Sequence, residues 1–172
     1  MRNFLLGVLV TLVAFVVGGF LYLTLGFAEV RGDLPPSKLE TYLMNSAVHS
    51  SVRREAPELP NPISLTDENL IAGGKIYINE CSGCHGAPGK PDEIADSLFP
   101  PIPQLPRSGT GFTEAQIFWI AKHGIRRTGM FANGKWDSDD RLWKAAAFIK
   151  HIQSLPPTVK EALSKPASKS SD

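Results

Sequence analysis

Residues 72–86 read Ala72-Gly73-Gly74-Lys75-Ile76-Tyr77-Ile78-Asn79-Glu80-Cys81-Ser82-Gly83-Cys84-His85-Gly86, and the five from Cys81 to His85 contain both cysteines of the 172-residue chain. Two cysteines three positions apart exclude a disulfide framework for the whole fold. A Cys-x-x-Cys-His run is instead the attachment signature of a c-type haem. The spacing has a physical reason. Each thiol can close a thioether to one vinyl group of a single haem, and the adjacent His85 is then delivered to the iron as an axial ligand. Three other readings compete. A thioredoxin-like pair needs its cysteines at a helix start within a βαβ pattern, and no strand pattern precedes Cys81. A structural zinc site needs two further ligands at short spacing, which a chain without a third cysteine supplies poorly. Two inert buried thiols fit badly with the serine, glycine and histidine around them.

On the N-terminal side of this motif, Thr66 or Ser64 can cap a helix over 67–79, and Asp67 and Glu68 suit the positive end of its dipole. Gly73 and Gly74 each cost about 1 kcal/mol inside a helix relative to alanine, a cost best explained by a second helix crossing closely there. On the C-terminal side, residues 83–111 show little periodicity and much proline, so they read as loops with one helical turn at 92–98. Thr113 caps a helix through about His123, with Gly124 as its C′ residue. After a further loop, Leu142, Trp143, Ala146, Ile149 and Ile152 repeat at three-to-four spacing and mark a last helix over 139–154. Pro156-Pro157 stops it.

With these elements in place, the stretch 72–86 resembles the N-terminal part of class I cytochromes c. Met130 in Thr128-Gly129-Met130 resembles that family's methionine loop, and Asp139–Ile149 resembles its C-terminal helix. The resemblance covers residues 66–156, just over half the chain. It implies an all-α fold in which the first and last helices of the domain cross near Gly74, Tyr77 and either Phe148 or Trp143, with one haem c in the cleft between them. It also implies Met130 as the iron ligand opposite His85. Read on its own, Met130 lies in a glycine-rich, basic loop without periodic apolar neighbours, unlike a methionine that fills a core gap. One departure is Phe131, which stands where many relatives have proline. His49, His123, His151 and Met44 are the other residues able to ligate iron. Leu98-Phe-Pro-Pro-Ile-Pro-Gln-Leu105 resembles the family's proline loop, so a carbonyl near Pro101 or Pro103 is expected to accept the second N–H of His85, as ligating imidazoles usually require. Trp119 and Trp136 could lie against the haem, but packing is the plainer assignment for both.

Outside the domain, residues 4–27 form an uncharged apolar run. As a helix of about 1.5 Å per residue it extends roughly 36 Å, enough to cross a hydrocarbon core of about 30 Å with some tilt. Its length favours a transmembrane anchor, preceded by a cytoplasmic start at 1–3. A cleaved signal is the rival, since apolar signal cores run about 7–15 residues and Gly26-Phe27-Ala28 passes as a cleavage site. Either one exports the rest of the chain. Residues 28–63 read as a linker: Gly32-Asp33-Leu34-Pro35-Pro36 is a stiff spacer, and Ser37 with Glu40 begins a helix over about 37–55. That helix is either a surface linker or a surface for a partner subunit or lipid. The domain is expected over 64–156, followed by a disordered tail at 157–172 rich in lysine, serine and alanine.

A formal net charge of +1 gives no case for nucleic-acid binding. Between Glu114 and Asp137 lie Lys122, Arg126, Arg127 and Lys135 and no acid, which is either a solvated face or a docking patch for an acidic redox partner. With His85 and Met130 both on the iron, no position remains for a substrate. The expectation is therefore an electron carrier and not an enzyme: a single-pass protein of a bacterial inner membrane whose periplasmic domain serves a respiratory or dehydrogenase-linked chain, with a membrane-bound partner. Two alternatives stand beside it. One is a haem subunit with a mainly structural role in a larger membrane complex, and the other an open-site haem protein with peroxidase or gas-sensing activity.

Overall fold

No charged residue occurs between Arg2 and Glu29, and this stretch is helical as α1 (Arg2–Thr24). In the computed structural model, which describes residues 1–87 and 95–164, α1 belongs to one unit, Met1–Leu34, and a second unit begins at Pro35. At 23 residues and without a charge after Arg2, α1 is long and apolar enough to cross a membrane.

The second unit is all-α. Ser37 caps α2 (Lys38–Glu55), its Oγ accepting from the Glu40 amide at 3.2 Å. The helix expected here as a linker is packed at its C-terminal end: Val52 and Ala56 are buried, and the His49 ring stacks on Phe112 at 4.9 Å. Its first turns stay open, with Leu39, Tyr42, Leu43 and Met44 exposed. Thr66 caps α3 (Asp67–Ile76). The helix ends sooner than the sequence suggests, because Tyr77–Cys81 widens into a π-helical turn that leads directly into the short α4 (Ser82–His85).

Beyond the loop, a 3₁₀ turn at Ala95–Ser97 falls in the expected helical turn, whose residues 92–94 lie outside the described residues. A short helix α5 (Leu105–Ser108) follows where only loop was expected. Thr113 and Gln116 form a reciprocal capping box on α6 (Glu114–His123). Ser138 caps α7 (Asp139–His151), three residues shorter than the apolar period suggests.

The core forms where α3 and α6 both pack on α7. Gly73 and Gly74 are the crossing point: a Cβ on Gly73 would lie 2.1 Å from the Lys144 carbonyl oxygen. The aromatic at the crossing is Phe148, 5.5 Å from the Tyr77 ring, while Trp143 stacks flat on Phe118 of α6 at 4.1 Å. Leu70, Tyr77, Leu142, Ala146 and Ile149 are also buried in this core.

The expected disordered tail is corrected through residue 164. α7 is already over at His151, and Pro157, expected to act as a stop, starts α8 (Pro157–Ser164), since proline is tolerated in a first helical turn, where its missing N–H has no partner to lose. Val159 is fully buried in the core, Leu163 packs against it, and Thr158 hydrogen-bonds Asp67 at the start of α3. Two apolar residues four apart are enough to dock so short a helix. Residues 165–172 lie outside the described residues.

Candidate functional site

The π turn at Tyr77–Cys81 shapes the motif. One extra residue per turn lets the Ser82 amide reach back to the Tyr77 carbonyl, and such insertions recur at functional sites. Cys81 is half-buried against the core, and Cys84 is exposed. Burial, with the charges of Glu80 and Asp137 adding to it, pushes the Cys81 thiol up to about 12, so it stays protonated at neutral pH.

His85 is fixed by the loop across from it. Its Nδ1 lies 3.0 Å from the Pro103 carbonyl, one of the two acceptors the sequence suggests. A carbonyl can only accept, so Nδ1 carries the proton and Nε2 keeps its lone pair. Burial holds the imidazole below its usual pKa, against an opposing contribution from the Pro103 bond, and the neutral form prevails at pH 7.

A largely apolar cleft of about 300 Å³ opens beside His85. Cys81, His85, Pro103 and Met130 line it together with Phe112, Ile117, Ile120, Ala121, Leu142 and Ile149. His85 and Met130, far apart in sequence, are thus brought to one cavity. His49 stacks on Phe112, His151 lies 3.4 Å from Glu114, His123 neighbours Trp119, and Met44 is exposed on α2. These four are not among the residues that line the cleft.

Met130 is placed by a loop folded back onto the end of α6. Gly124 adopts φ +66°, and a Cβ there would meet the Met130 carbonyl at 2.5 Å. The Ile125 amide donates to that carbonyl at 2.9 Å, the Met130 amide donates to Thr128 Oγ1 at 3.1 Å, and Asn133 Nδ2 donates to the Ala121 carbonyl at 3.0 Å. Past Met130 the loop presents Phe131 and Trp136 edge to face, 57% and 73% exposed. Trp136 is therefore not the packed residue the sequence suggests.

Several residues of the site carry little sequence signal. The Tyr77 hydroxyl donates to the Gly86 carbonyl at 2.6 Å and also approaches the His85 carbonyl at 3.1 Å. Gln104 Nε2 donates to the Cys84 carbonyl at 3.1 Å. Arg141 bridges Glu80, which lines the cleft, and Asp137. A polar residue in a proline-rich loop could have flagged Gln104, but nothing in the sequence gives its partner.

The donor set fits a covalently held haem: two free thiols at the right spacing, a neutral imidazole with one free nitrogen, a thioether sulfur on the same cavity and apolar walls between. The comparison with known families agrees. Residues 68–149 match the family described as Cytochrome C oxidase, cbb3-type, subunit III. No curated protein and no solved structure matches the chain. Residues 68–149 are a cytochrome c domain of that family, which implies covalent haem c, electron transfer, redox partners and an extracytoplasmic location.

Proposed function

We propose that this chain is a membrane-anchored, single-haem cytochrome c that carries one electron at a time, with haem held through Cys81 and Cys84 and iron ligated by His85 and Met130. The observation that carries the reading is the shared cleft: His85, with only Nε2 left to ligate, and Met130 line the same apolar cavity. Bound haem supplies the ferric/ferrous couple. The chain supplies the rest. Pro103 holds the imidazole in one tautomer, and its hydrogen bond makes the ring a better donor. Ile117, Ile120, Leu142 and Ile149 keep water from the walls, and two protein ligands leave no coordination position for a substrate.

In this reading α1 is the anchor in a bacterial inner membrane and the domain faces the periplasm. Lys122 is engaged with Asp139 at 2.7 Å, so Arg126, Arg127 and Lys135 carry the docking patch, with the exposed Phe131–Trp136 pair beside them. Such a surface suits an acidic redox partner with an apolar centre. The matched family's description names an oxidase subunit, which favours a partner within the same membrane. Co-migration with other chains in mild detergent tests that point.

The test of the reading as a whole is the mass and carbon monoxide response of the purified, exported protein. It predicts the mass of one added haem, lost in the Cys81→Ser/Cys84→Ser double variant, and little carbon monoxide binding in the ferrous state. Rapid, complete carbon monoxide binding would instead mark an open site of the peroxidase or gas-sensing kind. No added haem would end the proposal.

A further inference from the structure

The four-residue helix α4 leaves its last carbonyls without partners inside the helix, as every helix end does. Here the partners come from the π turn just before it and from the Pro103 loop. Gln104 Nε2 donates to the Cys84 carbonyl at 3.1 Å, and the Tyr77 hydroxyl serves the His85 and Gly86 carbonyls at 3.1 and 2.6 Å. In the opposite direction, His85 Nδ1 donates to the carbonyl of Pro103, the residue next to Gln104, at 3.0 Å. The dipeptide Pro103-Gln104 and the end of α4 therefore exchange two hydrogen bonds of opposite sense. Neither side can slide without breaking both.

We infer that Gln104 is a positioning residue for the iron-ligating histidine: its carboxamide locks the Pro103 loop onto α4 and so sets the strength of the His85 Nδ1–H···O=C bond. The inference rests on the reading of His85 as an iron ligand. Main-chain bonds tie the Pro103 loop elsewhere, the Ile102 amide to the Ala95 carbonyl and the Gln104 carbonyl to the start of α5. The Gln104 side chain adds the bond that, beside the His85–Pro103 bond, ties the loop to α4 itself. Tyr77 is the complementary part: fully buried, it holds the α4 end through the His85 and Gly86 main-chain carbonyls, whereas Gln104 acts from the residue next to the Pro103 acceptor. The two residues should therefore separate in their effects. A stronger Nδ1 bond makes imidazole a better donor and favours ferric iron. Loosening Gln104 should raise the midpoint potential, while losing the Tyr77 hydroxyl should lower stability with a smaller change in potential.

The test uses the full haem-bound chain. In the wild-type protein, nuclear magnetic resonance should find the Gln104 side-chain amide protons and the His85 Nδ1 proton protected from exchange. In Gln104→Met, which keeps the size and loses the donor, exchange of the Nδ1 proton should speed up about tenfold, in line with loss of one hydrogen bond's constraint. The midpoint potential should rise and the sulfur-to-iron band should persist. Free exchange of the Gln104 amide in the wild type would overturn the inference without any variant. An unchanged potential and Nδ1 exchange in Gln104→Met would overturn it as well. Failure of the ligand reading is separate, since it would appear as a wild-type spectrum without a histidine and methionine pair.

Discussion

Placing a methyl group on Gly73 strikes at the helix crossing that supports the cleft. An alanine Cβ there would lie 2.1 Å from the Lys144 carbonyl oxygen and 2.7 Å from its carbonyl carbon, where ordinary contact begins at 3.4 Å. Relief needs about 1.3 Å of separation (3.4 less 2.1) between two backbones. Overpacking typically costs about 1–3 kcal/mol, and a backbone obstacle puts this case at the upper end. Alanine returns about 1 kcal/mol of helix propensity, leaving a net loss of about 2 kcal/mol. The unit runs from Pro35 to Asp172, and at about 2.1 cal/mol/K of unfolding entropy per residue that loss lowers the melting temperature by roughly 7 °C. Gly74→Ala is the internal control. Its Cβ would meet Leu163 Cδ1 at 2.4 Å and Phe148 Cε2 at 2.9 Å, and the Leu163 tip on the terminal helix can move aside. Thermal unfolding of the haem-bound proteins, followed by circular dichroism, should rank Gly73→Ala well below Gly74→Ala. A Gly73→Ala protein that melts with the wild type, or a Gly74→Ala protein that loses more, would refute the crossing argument.

Other consequences rest on single contacts. Tyr77→Phe leaves the buried Gly86 carbonyl without its donor and should cost about 1–3 kcal/mol in denaturant unfolding. Burial, and next Asp137, hold the Glu80 carboxyl above its usual 4.5 against the pull of Arg141. The native state therefore keeps that proton longer than the unfolded chain, and stability falls as pH rises from 4.5 through the raised value. Glu80→Gln, which does not titrate, should flatten that part of a stability–pH profile. Replacing Arg126, Arg127 and Lys135 by glutamine should slow electron transfer to an acidic partner at low salt and remove most of its ionic-strength dependence in stopped-flow traces.

The sequence made the chemistry legible because it is local. Five consecutive residues define the attachment motif, and Ser37, Thr66 and Thr113 mark the starts of three helices. The paired glycines announced a close crossing, and the crossing partner proved to be Phe148 and the Lys144 backbone. What stayed hidden depends on tertiary partners. Helix α8 looks polar because only Val159 and Leu163 are needed to dock it, and its opening prolines read as a stop. The packing of α2 rests on Val52, Ala56 and one histidine ring, too few to show as a period. Carbonyl partners such as Gln104 and the Tyr77 hydroxyl leave no trace in composition or spacing, since their acceptors are main-chain atoms set by the fold.

A haem held between His85 and Met130 would show itself in the near-infrared absorption of the ferric protein, recorded with and without Met130→Ala. The wild type should show a weak sulfur-to-iron band that disappears in the variant while covalent haem remains. A haem-bound wild-type protein lacking that band, or a band that survives the loss of Met130, would contradict that placement.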